Sequence, residues 1–496
     1  MEAETRRWSH TDRVVFGLLA ACVVRLWLMV MPSSLWTDEM VTAFVINRPH
    51  DPSFAVAPQV TESLYYWLPK ISSRLLGMSE ITLRVPSVLA MIVALYFIGR
   101  LAERLIHPDG KWLAVALCLC LVEFDFFAID ARPYAMGIAI GAASLHFLVG
   151  WMDEGRWADA LLFIGLAALL WRVHLFNWPF YLLYAGYAVA RLASGAAKAR
   201  IAQVLVAVIS VSALLAPVVA RALEISAGAQ AHVFNGPPGP IEFLAVAEIT
   251  QVVIVLVVAL VVRLTCRWKR ESPKAEGASA GLILGWWLIC PVCLTAYSWI
   301  THNGVLIPRY VSLMIPGVAL TAALVVTRLV PRRHWKRAAA TAAFVALAAL
   351  GQWWQFWPIH VDEQWREAAQ FERQVASETT PVLSPSPFIE AQPPVWTPGY
   401  HLPGFLYSNL SYYPMRGQAS VFPFSESRQG DTATVQLMRT RLIPARRFII
   451  FGPIMGVDYL QRRLQLQPEL IGWHSQAYRF GIVYVVVYSA GPIPVR

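Results

Sequence analysis

The sequence predicts an α-helical polytopic membrane domain followed by a smaller α/β domain outside the membrane. Three observations predict it. The 496-residue chain is 57% hydrophobic and only 15% charged, with a mean hydropathy of +0.50, whereas soluble domains run nearer a quarter charged. Long apolar runs recur as far as residue 357 and then stop. Lys and Arg concentrate in every second connecting loop, as topology signals do.

Eleven apolar runs near the bilayer-spanning length of about twenty residues are marked off in order. They are Val14–Met31, Ile81–Ile98, Trp112–Ala128, Ala135–Trp151, Ala158–Val173, Phe176–Ala190, Ile201–Ala220, Phe243–Val262, Gly281–Trp299, Tyr310–Val326 and Ala338–Phe356. The fifth and sixth are short and meet around Trp171–Trp178. The first is best taken as an uncleaved signal anchor, since many spans follow it. With a cytoplasmic N-terminus, the inner loops carry Arg6, Arg7 and Arg13, then Arg100, Arg104 and Lys111, then Arg156, then Arg191, Lys198 and Arg200. The next holds Arg263, Arg267, Lys269, Arg270 and Lys274, and the last Arg328, Arg332, Arg333, Lys336 and Arg337. Outer loops are poor in both residues. This predicts a transmembrane domain over 1–357 with its N-terminus inside and an extracytoplasmic α/β domain over 358–496. Within that tail, Arg447–Phe451 and Phe480–Tyr488 have the β-branched and aromatic character of strands, and Pro381–Tyr413 is rich in proline and aromatics.

Several function classes are disfavoured. The net charge of +10 sits in short loops between apolar runs, so it is a topology signal and not a nucleic-acid face. Twenty Trp and seventeen Tyr suit interfacial belts. The six cysteines include a Cys-x-x-Cys at Cys290 and Cys293, but it lies inside a hydrophobic segment without a second ligand pair. No phosphate-binding loop, dinucleotide fingerprint or internal repeat is apparent, and the last point weighs against an inverted-repeat transporter.

The polar residues that need explaining lie in the outer loops. The first, 32–80, is far longer than a usual connector and carries Asp38, Glu39 and Glu62. Its stretch Leu64–Leu76 has the pattern of a helix lying on the membrane surface. Asp38 and Glu39, adjacent on a helix, point about 100° apart and so take different roles. From spacing alone a plain helix start, with Thr37 or Asp38 as cap, is the commoner reading of such a pair. Next comes the short turn Asp130-Ala131-Arg132-Pro133-Tyr134, where an Arg near the hydrocarbon needs a partner or a ligand. Glu123 and Asp125 precede it, with Arg132, Arg172 and Arg25 as candidate partners. His174 ends the fifth span, where a lone His is more often a packing residue than a ligand. Pro308-Arg309-Tyr310 opens the tenth. Acidic and basic groups gathered at one membrane level suit a phosphate-bearing substrate and a general base.

These residues resemble a known family. Asp38-Glu39 after the first span, Leu64-Tyr65-Tyr66-Trp67-Leu68, Leu76-Gly77-Met78-Ser79-Glu80, Leu83-Arg84-Val85-Pro86-Ser87, Arg132-Pro133-Tyr134, Arg309-Tyr310 and Trp365-Arg366-Glu367-Ala368-Ala369 together are similar to the bacterial GT-C membrane glycosyltransferases related to protein O-mannosyltransferases and the lipid A aminoarabinose transferase. One departure is Thr61-Glu62-Ser63, where many relatives carry His-Pro-Pro before Leu-Tyr-Tyr. The resemblance implies a sugar donor on a polyprenyl phosphate, an undecaprenyl carrier foremost, and inversion at the anomeric carbon. It further implies a glycan, lipid or protein acceptor and a place in the bacterial cytoplasmic membrane. Residue chemistry suits this with Asp38 as the expected general base, Glu39 positioning it or a cationic partner, and Arg309, helped by Arg132 and His174, on the lipid phosphate. Tyr134 and Tyr310 supply hydroxyls, and Tyr65, Glu62 and Arg84 complete the expected substrate-binding set. Nucleic acid is not expected. A divalent metal is left open by the carboxylates, with no ligand set standing out. The main alternative is a flippase for a lipid-linked glycan, which leaves the acidic pair without a role. An O-antigen-ligase-type enzyme is a second, and an adhesin role for the tail a third.

Overall fold

The computed structural model describes residues 9–227, 236–268, 277–388, 404–422 and 435–493. Arg6, Arg7, Lys269, Arg270, Lys274 and the middle of the proline- and aromatic-rich stretch lie outside the described residues. The chain divides into two compact units: Met1–Met31, Glu62–Gly77 and Arg84–Pro358 form one, and Pro32–Thr61, Met78–Leu83 and Ile359–Arg496 the other. The loop expected at 32–80 is thus divided, and its first half folds with the tail.

The helices in chain order are α1 (His10–Cys22), α2 (Thr37–Asn47), α3 (Trp67–Leu76), α4 (Glu80–Leu105), α5 (Lys111–Cys118) and α6 (Val122–Ile129). There follow α7 (Tyr134–Glu154), α8 (Trp157–Val173), α9 (Phe180–Ala193), α10 (Ile201–Ala227), α11 (Pro240–Val246) and α12 (Ile249–Thr265). The last are α13 (Gly277–Thr301), α14 (Ile315–Leu329), α15 (Trp335–Leu350) and α16 (Trp365–Val375). Every run expected to span contains a helix, although Met29–Met31 and Gly351–Phe356 lie beyond the helical parts of the first and last runs. By length and composition, however, five helices are able to cross a membrane: α4, α7, α10, α13 and α14 with the 3₁₀ turn before it. The bent pairs α5/α6 (76°) and α11/α12 (66°) raise the number to seven among the described residues. The other expected spans are shorter: α1 has 13 residues and runs straight on into the π-helical Val23–Leu28, and α8 has 17, α9 14 and α15 16.

In the first unit α7 and α14 are the most enclosed, with 83% and 89% of their apolar windows buried, against 17% for α10. α10 therefore presents Leu205 and Ile209 outward, as a lipid-facing helix does. α13 and α14 approach closely at Gly317, where a Cβ would come within 2.4 Å of the Trp287 amide nitrogen. Trp286 Nε1 then donates to the Leu313 carbonyl at 2.7 Å. Arg25 and Arg172 turn to backbone and not to carboxylates. Arg25 donates to the carbonyls of Gly351, Gln352, Gln355 and Phe356 at 2.7–3.0 Å, closing off the C-terminal end of α15. Arg172 donates to the carbonyls of Ala168 and Leu214. Asp125 accepts from Trp27 Nε1 at 2.7 Å, and Glu123 hydrogen-bonds Glu248 at the second helix break.

The second unit is built on a five-stranded mixed sheet in the order β2-β1-β3-β5-β4. The strands are β1 (Pro381–Pro385), β2 (Gln418–Phe422), β3 (Arg447–Pro453), β4 (His474–Phe480) and β5 (Val483–Ser489). β1 runs parallel to β2 and β3, and β5 antiparallel to β3 and β4. Of the expected strand Phe480–Tyr488, Phe480 ends β4 and Val483–Tyr488 lies in β5, with the turn Gly481-Ile482 between them. Gly481 has φ +63°, and a Cβ there would sit 2.0 Å from the Asp362 carbonyl oxygen, so the tight turn requires glycine. Alternation sorts the core into two faces. Phe448 and Ile450 pack with Val457, Leu460 and Leu464 of the helix Ile454–Gln465. On α16, Trp365 meets Phe451 and Phe371 meets Tyr478 and Phe480.

Candidate functional site

In the first unit, five of the singled-out residues come together where helices begin or end. Pro133 closes the turn after α6, and its fixed φ of −66° launches α7 at Tyr134. His174 ends α8 in an extended conformation, and its Nδ1 accepts from the Phe176 amide at 3.4 Å. That bond leaves Nε2 as the protonated, donating nitrogen. Pro308 starts the 3₁₀ turn Pro308–Met314, which carries Arg309 and Tyr310.

Aromatic contacts hold these pieces together. His174 lies 5.4 Å from both Tyr134 and Tyr310, centroid to centroid, and Phe176 stacks on Tyr310 at 4.4 Å. The Arg309 guanidinium sits 5.5 Å from the Tyr310 ring centre. Arg132 Nη1 reaches the Tyr66 hydroxyl at 3.4 Å. Burial and the charges of Arg132 and Arg309 hold the His174 imidazole down to about 3, so it is neutral at physiological pH. Two guanidiniums and a neutral N–H donor thus share one neighbourhood with tyrosines around them. Such a set suits an anion with several oxygens.

The other expected residues of this unit sit around that cluster in different ways. Tyr65 is fully buried and its hydroxyl hydrogen-bonds Ser87, which donates to the Asp130 carbonyl at 2.6 Å. This chain ties the loop before α3 to the Arg132 turn. Arg84 is fully buried and donates to the Met31 carbonyl at 2.9 Å. Glu62 accepts from Arg221 at 3.0 Å and is not among the groups brought together. Beside it, Ser63 donates to the Val173 carbonyl at 2.6 Å and accepts from the Tyr65 amide. Glu62 and Ser63 thus anchor their loop through polar side chains that prolines at these two positions lack.

In the second unit, Asp38 and Glu39 occupy the first turn of α2, where the helix dipole favours carboxylates. Neither Thr37 nor Asp38 is the cap; Trp36 holds that position. Glu39 is fully buried and reaches back to the Trp36 amide at 3.3 Å, while Asp38 is partly exposed. A third carboxyl, Glu363, joins them. Its Oε2 accepts from the Thr37 amide, the Thr37 hydroxyl and Trp365 Nε1, each at 2.8 Å. Burial raises the Glu363 carboxyl above its ordinary range, with the charge of Asp38 adding to the effect and the three hydrogen bonds opposing it. Sequence reasoning missed Glu363, whose one signal was its place two residues before Trp365. The Trp365-Arg366-Glu367 motif also acquires a physical role. Arg366 donates to the Pro32 carbonyl and to Glu80, and its amide donates to Ser34. Tyr413 accepts from the Leu35 amide at 2.8 Å and donates to Glu80 at 3.1 Å. The start of the loop that carries the acidic pair is thereby clamped residue by residue.

No family model matches the sequence, and no curated protein is significantly similar. Solved structures are. The crystal structure of ArnT from Cupriavidus metallidurans bound to undecaprenyl phosphate aligns with a TM-score of 0.56 at 12% identity, over 98% of this chain and 100% of that one. The apo structure of ArnT gives 0.54 at 13% identity over the same shares. The arabinosyltransferase EmbB from Mycobacterium smegmatis gives 0.41 at 15% identity over 66% of this chain and 31% of EmbB. The fold of this chain is the one seen in ArnT.

Proposed function

We propose that this chain, which has the GT-C fold of membrane glycosyltransferases, transfers a hexose or pentose from a polyprenyl phosphate to an acceptor hydroxyl with inversion. The observation that carries this is the gathering of two arginine-bearing turns about His174, whose ring lies 5.4 Å from both Tyr134, two residues after Arg132, and Tyr310, which Arg309 covers. The solved structure of ArnT holds undecaprenyl phosphate, and a lipid phosphate is the ligand this cationic cluster fits. In the reaction, the acceptor oxygen forms a bond to the anomeric carbon while the bond from that carbon to the phosphate oxygen breaks. The acceptor proton passes to Asp38, and the phosphate takes the electron pair. Charge grows on that phosphate, so cations fixed beforehand lower the barrier more than mobile water does. Arg309 carries most of this role, with Arg132 and the His174 N–H assisting. Tyr134 and Tyr310 frame the cluster. Glu39, buried and engaged with the backbone, positions Asp38 and takes no proton. A phosphate leaving group needs no nucleotide.

The transfer takes place at the outer face of a bacterial cytoplasmic membrane, with the N-terminus cytoplasmic and the tail outside. Metal dependence is a separate measurement, read by chelation. The test is incubation of the purified protein with polyprenyl-phosphate-linked sugars and envelope acceptors. Release of free polyprenyl phosphate together with glycosylated acceptor is expected. Movement of intact donor across vesicles without release makes the protein a flippase and overturns the proposal.

A further inference from the structure

A groove of about 960 Å³ opens in the first unit between α1, α4 and α5, with Lys336 of α15 at its mouth. It shares no residue with the His174 cluster. Leu19, Val23, Val24, Leu95, Val115 and Leu119 make its walls, and three acids (Asp12, Glu103, Asp109) and three bases (Arg100, Lys111, Lys336) line its polar end.

The polar end is layered. Asp12 holds Lys336 at 2.7 Å and accepts from Trp112 Nε1 at 3.1 Å. Glu103 holds Lys111 at 2.9 Å and Arg100 at 2.5 Å. The acids lie deeper than the bases: the side chains of Asp12 and Glu103 are 16% and 18% exposed, those of Lys336, Lys111 and Arg100 32%, 42% and 52%. An ammonium carries three protons and a guanidinium five, so each cation retains donors for a second acceptor while the acid behind fixes its position. The outermost groups are therefore donors, arranged for an anion with several oxygens.

The apolar part opens sideways. Phe16, Val24, Ile92 and Tyr96 line the groove and are 45–62% exposed. α4, which bears two of them, is long and apolar enough to cross a membrane. At about 30 Å³ per heavy atom, the volume accepts on the order of thirty atoms, enough for a phosphate and roughly one acyl chain. A groove apolar along its length, open toward lipid and carrying ammonium and guanidinium donors outermost at one end, with their acids behind them, fits an acyl chain joined to a phosphate.

We propose that this groove is a glycerophospholipid site. The phosphodiester is held by Arg100, Lys111 and Lys336, and one acyl chain lies along α1 and α4. Gly99 supplies a probe that leaves the charges alone. It lines the groove, and a Cβ there meets Val115 Cγ2 at 3.5 Å and Lys111 Cβ at 3.8 Å, ordinary contact distances. Alanine is accommodated, and leucine extends into the chain's path.

The experiment is native mass spectrometry of the full-length protein, stripped of lipid in detergent and titrated with phosphatidylglycerol, alongside its thermal midpoint. One bound phospholipid and a raised midpoint are expected. The double variant Arg100→Gln/Lys111→Gln should weaken binding at least about tenfold, as loss of charge-assisted hydrogen bonds does. Gly99→Leu should weaken it similarly, and Gly99→Ala should not. Each variant's midpoint without lipid reports whether it is folded. Unchanged affinity in the folded Arg100/Lys111 and Gly99→Leu variants overturns the site. Displacement of the phospholipid by an equal amount of polyprenyl phosphate overturns the choice of ligand.

Discussion

Glu363→Ala tests how the acidic pair is held in place. One carboxylate oxygen accepts three hydrogen bonds at 2.8 Å, two from Thr37 and one from Trp365. Bonds to a charged group contribute about 1.5–3 kcal/mol each, and three on one atom do not add. Removal also relieves the burial of a charge and its repulsion with Asp38, which together raise the Glu363 carboxyl. The net cost is about 2–4 kcal/mol, and about 1 kcal/mol for Glu363→Gln, whose amide oxygen still accepts. The assay is hydrogen exchange on the full-length protein in detergent, read at the amides of residues 37–41, with turnover measured in parallel. Faster exchange there and a lower kcat at unchanged donor KM are expected. The pH sign follows from the raised carboxyl: the folded state binds that proton more tightly, so this group's stabilising effect is full below 4.5 and declines as pH rises. Glu363→Gln, which resembles the protonated form, should flatten that decline. Exchange at α2 that is indifferent to Glu363→Ala refutes the positioning role.

His174 titrates in the opposite sense. It is held at about 3 when folded against 6.5 otherwise, so protons favour the unfolded chain, and about 2 kcal/mol of stability should be lost between pH 7.5 and 5. His174→Asn should remove that slope in denaturation curves, and a slope that persists assigns it elsewhere. Arg309→Ala should raise the donor KM and lower kcat by a combined factor of about ten to a hundred; unchanged donor dependence gives the phosphate to another cation. Arg25→Met should cost about 3–5 kcal/mol by leaving the carbonyls after α15 without their shared donor, and an unshifted thermal midpoint refutes that count.

The helical half of the molecule was legible because apolar runs report burial or lipid directly, and all eleven mark helices. Their lengths were less legible. Breaks at Leu119–Leu121 and at Ala247–Glu248 interrupt apolar stretches without any Gly or Pro at the break to announce them. β1 was missed because Pro381 and Pro385 bound it, and proline argues against strand except at ends and edges. The cluster around His174 was half legible: Arg132 and Arg309 stand out as charges among apolar residues, whereas their approach to one imidazole is tertiary. The partition of the first loop was not legible at all. Thr37 and Glu363 are 326 positions apart, and no local pattern encodes a pairing at that separation.

The most direct test is mass spectrometry of envelope glycans and lipid-linked sugars in cells whose copy carries Asp38→Asn, a change that keeps size and removes basicity. One glycan lacking a single sugar, with its polyprenyl-phosphate donor accumulating, is the predicted result. Wild-type glycans in the variant remove Asp38 as the base. A fall in every downstream glycan, with donor trapped on the cytoplasmic side, contradicts transfer altogether.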